Sequence, residues 1–119
     1  MESLPIWLTE NECAALDAFV AALSERYGDE ILSVRLFGSK ARGDFDVDSD
    51  LDVLVLATHD EWQFRQAISF LAADISLDHD LVLAPKVVSH TRWEFLDREG
   101  FSITHNVREE SVLLTGTAA

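Results

Sequence analysis

Basic residues are scarce in this 119-residue chain: 9 Lys and Arg stand against 22 Asp and Glu, a formal net charge of −13 at pH 7. A surface of that sign repels phosphodiester backbones, which argues against a general DNA or RNA binder. Cysteine is scarcer still. Cys13 alone can form neither an internal disulfide nor a Cys-based zinc site, and it reads as a small apolar residue on a helix. No apolar run approaches the ~20 residues needed to span a bilayer. The opening MESLPIWLTENE lacks a basic segment and a small-residue cleavage site, so no secretory signal is expected. Repeats, linkers and low-complexity tracts are missing too. These absences point to a cytoplasmic protein with no membrane and no direct nucleic-acid role. The hydrophobic fraction of 48% is enough for a core, and 1–119 reads as a single domain.

Strand and helix signals alternate along the chain. Thr9-Glu10-Asn11-Glu12 has the form of a capping box, and Leu16, Phe19, Val20 and Leu23 recur at helical spacing over Glu10 to Tyr27. Gly28 suits the C-terminal cap, and Trp7 reads as a packing anchor. Ile31 to Phe37 reads as a strand, Ser39 to Arg42 as a short helix, and Asp50 to Ala57 as a second, mostly buried strand. A helix is expected over Asp60 to Ala73, capped by Asp60 and packed through Trp62, Phe64, Ile68 and Leu71. Leu77 to Ala84 is expected as a third strand, stopped by Pro85. Thr91 to Arg98 and Ser102 to Glu110 read as helices, Ser111 to Leu114 as a closing strand, and Thr115 to Ala119 as a loose tail. The expected class is α+β (α/β-like): a small mixed β-sheet with helices packed mainly on one face.

Chemistry concentrates between Leu36 and Leu56, LFGSKARGDFDVDSDLDVLVL. An apolar strand runs into Gly38-Ser39. Ten residues later come Asp50 and Asp52. Residues two apart on a strand share a face, so Asp50 and Asp52 project together while Leu51 and Val53 point the other way. Paired carboxylates repel and call for a cation. All-oxygen ligands suit Mg2+, held by a few carboxylates and by substrate phosphates. Two such ions can activate an attacking oxygen and stabilise leaving pyrophosphate. Gly38 lets a phosphate approach closely, and Ser39 donates a hydrogen bond to it at a helix start. A further carboxylate is sought on the third strand, where Asp80 is preferred over Asp78. His79 reads as a surface or packing residue. An EF-hand loop does not fit: counting from Asp44 or Asp46, the required Gly and Glu positions hold Ser49 and Val55, or Leu51 and Ala57. The GxxxxGK[ST] phosphate loop is absent as well. Asp44, Asp46 and Asp48 read as an acidic turn outside the site.

The Gly38-Ser39…Asp50-x-Asp52 pattern resembles the signature of the DNA polymerase beta-like nucleotidyltransferase superfamily. GSKARGD…DSDLDVLV is similar to its minimal nucleotidyltransferase (MNT) branch, as in HEPN/MNT toxin–antitoxin pairs. The likeness extends to residues 103–114, where Ser111 stands at a position at which that branch commonly has Gly. The resemblance implies a polymerase-beta-type core and transfer of a nucleoside monophosphate, AMP from ATP, to a hydroxyl. It implies that Asp50 and Asp52 bind both metals, that Asp80 binds the catalytic one and helps deprotonate the acceptor, and that Gly38 and Ser39 hold the triphosphate. Arg42 would steady the phosphates or else pair with a nearby Asp; Lys40 is expected at the surface. Larger relatives carry an extra domain for the acceptor, so here the acceptor site is expected on another subunit, in a hetero-oligomer. The leading reading is a type VII-like antitoxin that AMPylates a tyrosine of a HEPN-domain toxin. Two alternatives stand beside it: an antitoxin acting by binding alone, and the catalytic subunit of a two-subunit small-molecule (antibiotic) nucleotidyltransferase.

Overall fold

The computed structural model describes residues 4–46 and 48–116. Four strands form one mixed sheet in the order β3-β2-β1-β4. They are β1 (Ile31–Phe37), β2 (Leu51–Ala57), β3 (Leu83–Ser89) and β4 (Val112–Gly116). β1 lies antiparallel to both β2 and β4, and β2 runs parallel to β3. The helices are α1 (Glu10–Tyr27), α2 (Ser39–Arg42), α3 (Trp62–His79), α4 (His90–Arg98) and α5 (Ser102–Glu110). A parallel pair needs a crossover connection, and α3 supplies it between β2 and β3.

α1 starts where its capping box predicts. The Thr9 hydroxyl accepts from the Glu12 amide, and the Glu12 carboxylate accepts from the Thr9 amide. Gly28 closes it at φ 50°. α1 and α3 bury Leu16, Phe19, Leu23, Phe64, Ile68, Leu71 and Ile75 against Val34, Leu36, Val53 and Val55 of the sheet. A smaller cluster fills the opposite face: Leu54, Leu56 and Val88 meet Trp93 of α4 and Val107 of α5. The main helical layer thus covers one face, as the sequence leads one to expect, and α4 and α5 cover part of the other. β2 is buried on both sides, which is why it reads as a continuous apolar run.

Several boundaries differ from expectation. The segment 77–79 belongs to α3. Ile68, Leu71, Ala72 and Ile75 continue one buried helical stripe, and Leu77 is 82% exposed, as no core-strand residue would be. The helix stops at Asp80, which takes the left-handed conformation (φ 52°, ψ 49°) and donates its N–H to Ser76 O. Strand β3 begins only at Leu83 and runs through Pro85, which an edge strand tolerates. At its other end α3 has Glu61, not Asp60, as its N-cap residue, with no side-chain cap bond. Trp62 is 59% exposed and is no packing residue. β4 continues through Thr115 and Gly116; the rest of the expected tail, 117–119, lies outside the described residues.

Lys40 is the other correction. Only 5% of it is exposed. Its ammonium lies 2.8 Å from Glu12 Oε2 and 4.0 Å from the centre of the Phe45 ring. Glu12 therefore caps α1 and anchors α2 at once. Burial pushes the Glu12 carboxyl up, but hydrogen bonds from Lys40 and from the Thr9 amide outweigh it and hold the group below its ordinary 4.5. Lys40→Met should cost about 2 kcal/mol, the worth of a hydrogen bond between charged groups with little exposure. A carboxyl that titrates lower in the folded than in the unfolded chain stabilises above about pH 4.5 and loses that contribution as the pH falls through the folded value. The gap between wild type and variant in urea midpoint should be widest at neutral pH and narrow in acid.

Candidate active site

The site is the end of the sheet where β1 leaves and β2 and β3 enter. Phe37, the last residue of β1, pairs with Asp52, and Ala84 of β3 flanks Asp52 on the other side. The chain turns at Gly38 (φ 75°) into α2, whose Ala41 and Arg42 amides donate to Gly38 O at 3.1 and 3.2 Å. A Cβ on Gly38 would fall onto Asp52 Oδ2 and sit 3.1 Å from Asp52 Cγ. The turn therefore requires glycine twice over, for its dihedral and for the carboxylate packed against it. Trp7 holds the far side: its Nε1 donates to Lys40 O at 2.7 Å, and its ring lies 3.2 Å from where a Cβ on Gly43 would be. Packing anchor is the right description of Trp7, and what it anchors is the phosphate-sized turn.

Asp50 and Asp52 fall on one face, as strand alternation requires. Leu51 and Val53 between and beside them are fully buried in the opposite direction. Asp52 is half-buried. Burial first, and then the charge of Asp50, push its carboxyl above the usual range, against a smaller opposing pull from Arg42. A site that makes carboxylate charge unfavourable in this way fits a cation held by Asp50 and Asp52. With only two protein carboxylates, the remaining oxygens would come from substrate phosphates and water, which is the usual manner of Mg2+.

Asp80 does not approach them from a strand, as the sequence led us to expect. Neither Asp78 nor Asp80 is on a strand, because α3 takes up that segment. The β3 position level with Asp52 is Ala84. Asp80 shares a small hollow with Asp48, Ser49 and Asp50, but among the described residues no three His, Cys, Asp or Glu side chains gather into a metal site. Arg42 is exposed and bonds Asp44 (Nε to both carboxylate oxygens, 3.2 Å), with Glu110 of α5 at 3.4 Å. Of its two expected roles, the geometry carries the one that orients the turn, though Arg42 also lines a hollow of about 240 Å³ with Phe37, Gly38, Ile103, Asn106 and Glu110. The sequence reading missed Lys40 and Glu12. Nothing local marks a lysine for burial; the one available signal was a capping-box glutamate with an acceptor oxygen to spare.

The family model for the nucleotidyltransferase domain matches residues 16–111, which takes in the turn, both aspartates and α5. The chain belongs to the nucleotidyltransferase domain family. Among similar proteins is "Putative protein adenylyltransferase MJ0604" of Methanocaldococcus jannaschii, 35% identical over 104 residues, which are 87% of this chain and 98% of the relative. Another from that organism, "Putative protein adenylyltransferase MJ0141", is 38% identical over 71 residues, 58% of this chain and 72% of the relative. The fold is shared with a crystal structure of a toxin–antitoxin with AMP-PNP, at TM-score 0.59 and 20% identity, over 86% of this chain and 73% of that one. It is shared as well with the structure of a "putative minimal nucleotidyltransferase", at TM-score 0.57 and 23% identity, over 91% and 98% of the two chains. The nucleotidyltransferase signature that the motif resembles is thus matched at the level of the family.

The Gly38–Asp52 contact gives the nucleotidyltransferase a sharp test. Gly38→Ala must move either the turn or the carboxylate. Stability should fall by about 1–2 kcal/mol for an alanine at positive φ in a tight contact, while nucleotide transfer should drop below detection. A variant with full activity, measured by release of pyrophosphate, would show that Asp52 need not stand against the turn.

Proposed function

We propose that this nucleotidyltransferase is a protein adenylyltransferase that moves AMP from ATP to a tyrosine hydroxyl of a HEPN-domain toxin, and so acts as that toxin's antitoxin. The observation that carries the transfer is the half-buried Asp52 carboxylate, backed by Asp50, packed directly on the Gly38 turn. The choice of protein acceptor is supported by the names of the curated relatives. The toxin partner is supported by the toxin–antitoxin structures that share the fold, among them the toxin–antitoxin MntA-HepT.

In this reading Gly38 and Ser39 bind the triphosphate, and Asp50 and Asp52 hold Mg2+, one or two ions, beside it. When bound there, the metal would supply charge neutralisation at the phosphates and ease loss of the acceptor proton. The tyrosine oxygen attacks the α-phosphorus, the bond to the β-phosphate oxygen breaks, pyrophosphate departs and the hydroxyl proton is released. Asp52 is buried enough to favour its cation-bound form over a bare charge. Arg42, tied to Asp44 and Glu110, keeps the loop after α2 in place. The toxin brings the acceptor pocket, so the working unit is a hetero-oligomer. Asp80, displaced from the strand, has a structural task in ending α3.

Incubation with α-labelled ATP, Mg2+ and a HEPN-domain partner should label the partner on tyrosine. Asp52→Ala should abolish the label and the protection of cells from the toxin. Asp80→Asn should leave transfer within about threefold, since Asn accepts the left-handed conformation as readily as Asp. Protection that survives Asp52→Ala would point to neutralisation by binding alone. Loss of transfer in Asp80→Asn with folding intact would restore Asp80 to the catalytic set.

A further inference from the structure

The edge of β3 that faces away from β2 forms the floor of a broad groove. Among the described residues β3 closes the sheet order and pairs with β2 alone. Pro85, Lys86, Val87 and Val88 line the floor. Arg65 and Ser69 of α3 form one wall; Arg92 of α4 and the start of α5 form the other, enclosing about 820 Å³. Three of the chain's nine cations therefore line this groove, and among the described residues Asp60 is the one acid that lines it with them. In a chain of net charge −13 that is the reverse of the general surface.

These cations are also unspent. Lys40, Arg42 and Arg108 are bound to carboxylates. The side chains of Lys86 and Arg92 have no hydrogen bond or ion pair among the described residues, and Arg65 only donates to Asp60 O at 3.0 Å. A lysine and a proline on an edge strand do guard against pairing with other chains. That does not account for Arg65 and Arg92, which come from helices on either side. Phe101, which lines the groove, meets Phe95 with ring centroids 6.4 Å apart, and both rings are exposed. The groove also opens toward the active site. Lys86 lies one strand step along the sheet face from Ala84, the neighbour of Asp52, and Ser102 and Ile103 line both this groove and the hollow beside Gly38.

We propose that this groove receives an extended acidic segment of the acceptor protein, laid along the free edge of β3 with its carboxylates on Arg65, Lys86 and Arg92, so that the acceptor hydroxyl is delivered toward Asp50 and Asp52. The proposal rests on the reading of a protein acceptor and specifies how that acceptor is recognised. An extended peptide satisfies an open strand edge through main-chain hydrogen bonds, and flanking side chains set its specificity. A nucleic acid is the weaker candidate. The cationic strip is short, it is interleaved with Pro85, Val87 and Phe101, and the surrounding surface is strongly acidic.

The probe is a fluorescent Glu/Asp-rich peptide around one tyrosine, compared by anisotropy with its Gln/Asn counterpart and with a single-stranded oligonucleotide of similar length. The acidic peptide should bind the full chain, and salt of about 0.5 M should weaken it. Lys86→Glu with Arg92→Glu should weaken it roughly tenfold, two exposed ion pairs lost and two repulsions gained. Both residues are exposed, so folding should hold; the neutral pair Lys86→Met with Arg92→Gln should fall between. Asp52→Ala should bind the peptide unchanged. Equal binding of acidic and neutral peptides, tighter binding of the oligonucleotide, displacement by ATP, or full binding by the charge-reversed variant would each overturn the groove assignment. The transferase reading is decided separately by label from ATP: peptide binding without any transfer removes that reading, and transfer without peptide binding removes only the groove.

Discussion

A carboxylate standing where a side chain would be is the constraint from which the rest of this molecule can be worked out. Asp52 occupies the space of the missing Gly38 Cβ. That contact ties the end of β1 to the start of β2, and it brings a phosphate-sized turn and an anion together in a half-buried place. Left alone, the pairing is unfavourable, since burial and Asp50 both resist the charge on Asp52. Much of the surrounding structure keeps the arrangement from relaxing. The buried Lys40–Glu12 pair fixes α2 to α1, Trp7 braces the far side of the turn, and Arg42 ties the following loop to α5. Such strain is what a site for polyphosphate and divalent cation needs, because the ligand relieves it.

The legible parts of the fold were those settled by local chemistry. The α1 capping box, the β1 run into Gly38, and the alternation that sends Asp50 and Asp52 one way and Leu51 and Val53 the other all depend on neighbours a few residues apart. So does α5, whose limits at Ser102 and Glu110 match expectation. The errors came where tertiary position overrides local pattern. LDHDLVLA alternates like a strand, but its first three residues finish a helix whose buried stripe was set further back, at Ile68 and Leu71. LAPKVVS looks unlike a strand because Pro85 and Lys86 are permitted only by its place at the edge of the sheet.

That single shift of β3 reshapes the site. With the strand over Leu77 to Ala84, Asp80 would stand near Asp52. With it over Leu83 to Ser89, Asp52 has Ala84 at its side, and Lys86 follows on the same face. Strand β2 then presents Asp50 and Asp52 without an acidic partner from β3, and the sheet face beyond them turns from acidic to basic. A neutral and then a cationic neighbour makes the entrance to the site favourable for incoming anionic groups, whether phosphate or carboxylate.

Charge placement, more than total charge, then distinguishes what this domain can approach. Its acidic surface disfavours long polyanions, while six of its nine cations fall into two groups. Lys40, Arg42 and Arg108 are consumed in holding the chain to itself, and Arg65, Lys86 and Arg92 are left open along β3. An edge strand flanked by unpaired cations is a costly thing to leave exposed, since it invites both aggregation and anion binding. The simplest physical reason for a nucleotidyltransferase of this size to keep one is that the edge is covered when the domain works. The covering chain would then complete the sheet and the active site in the same step.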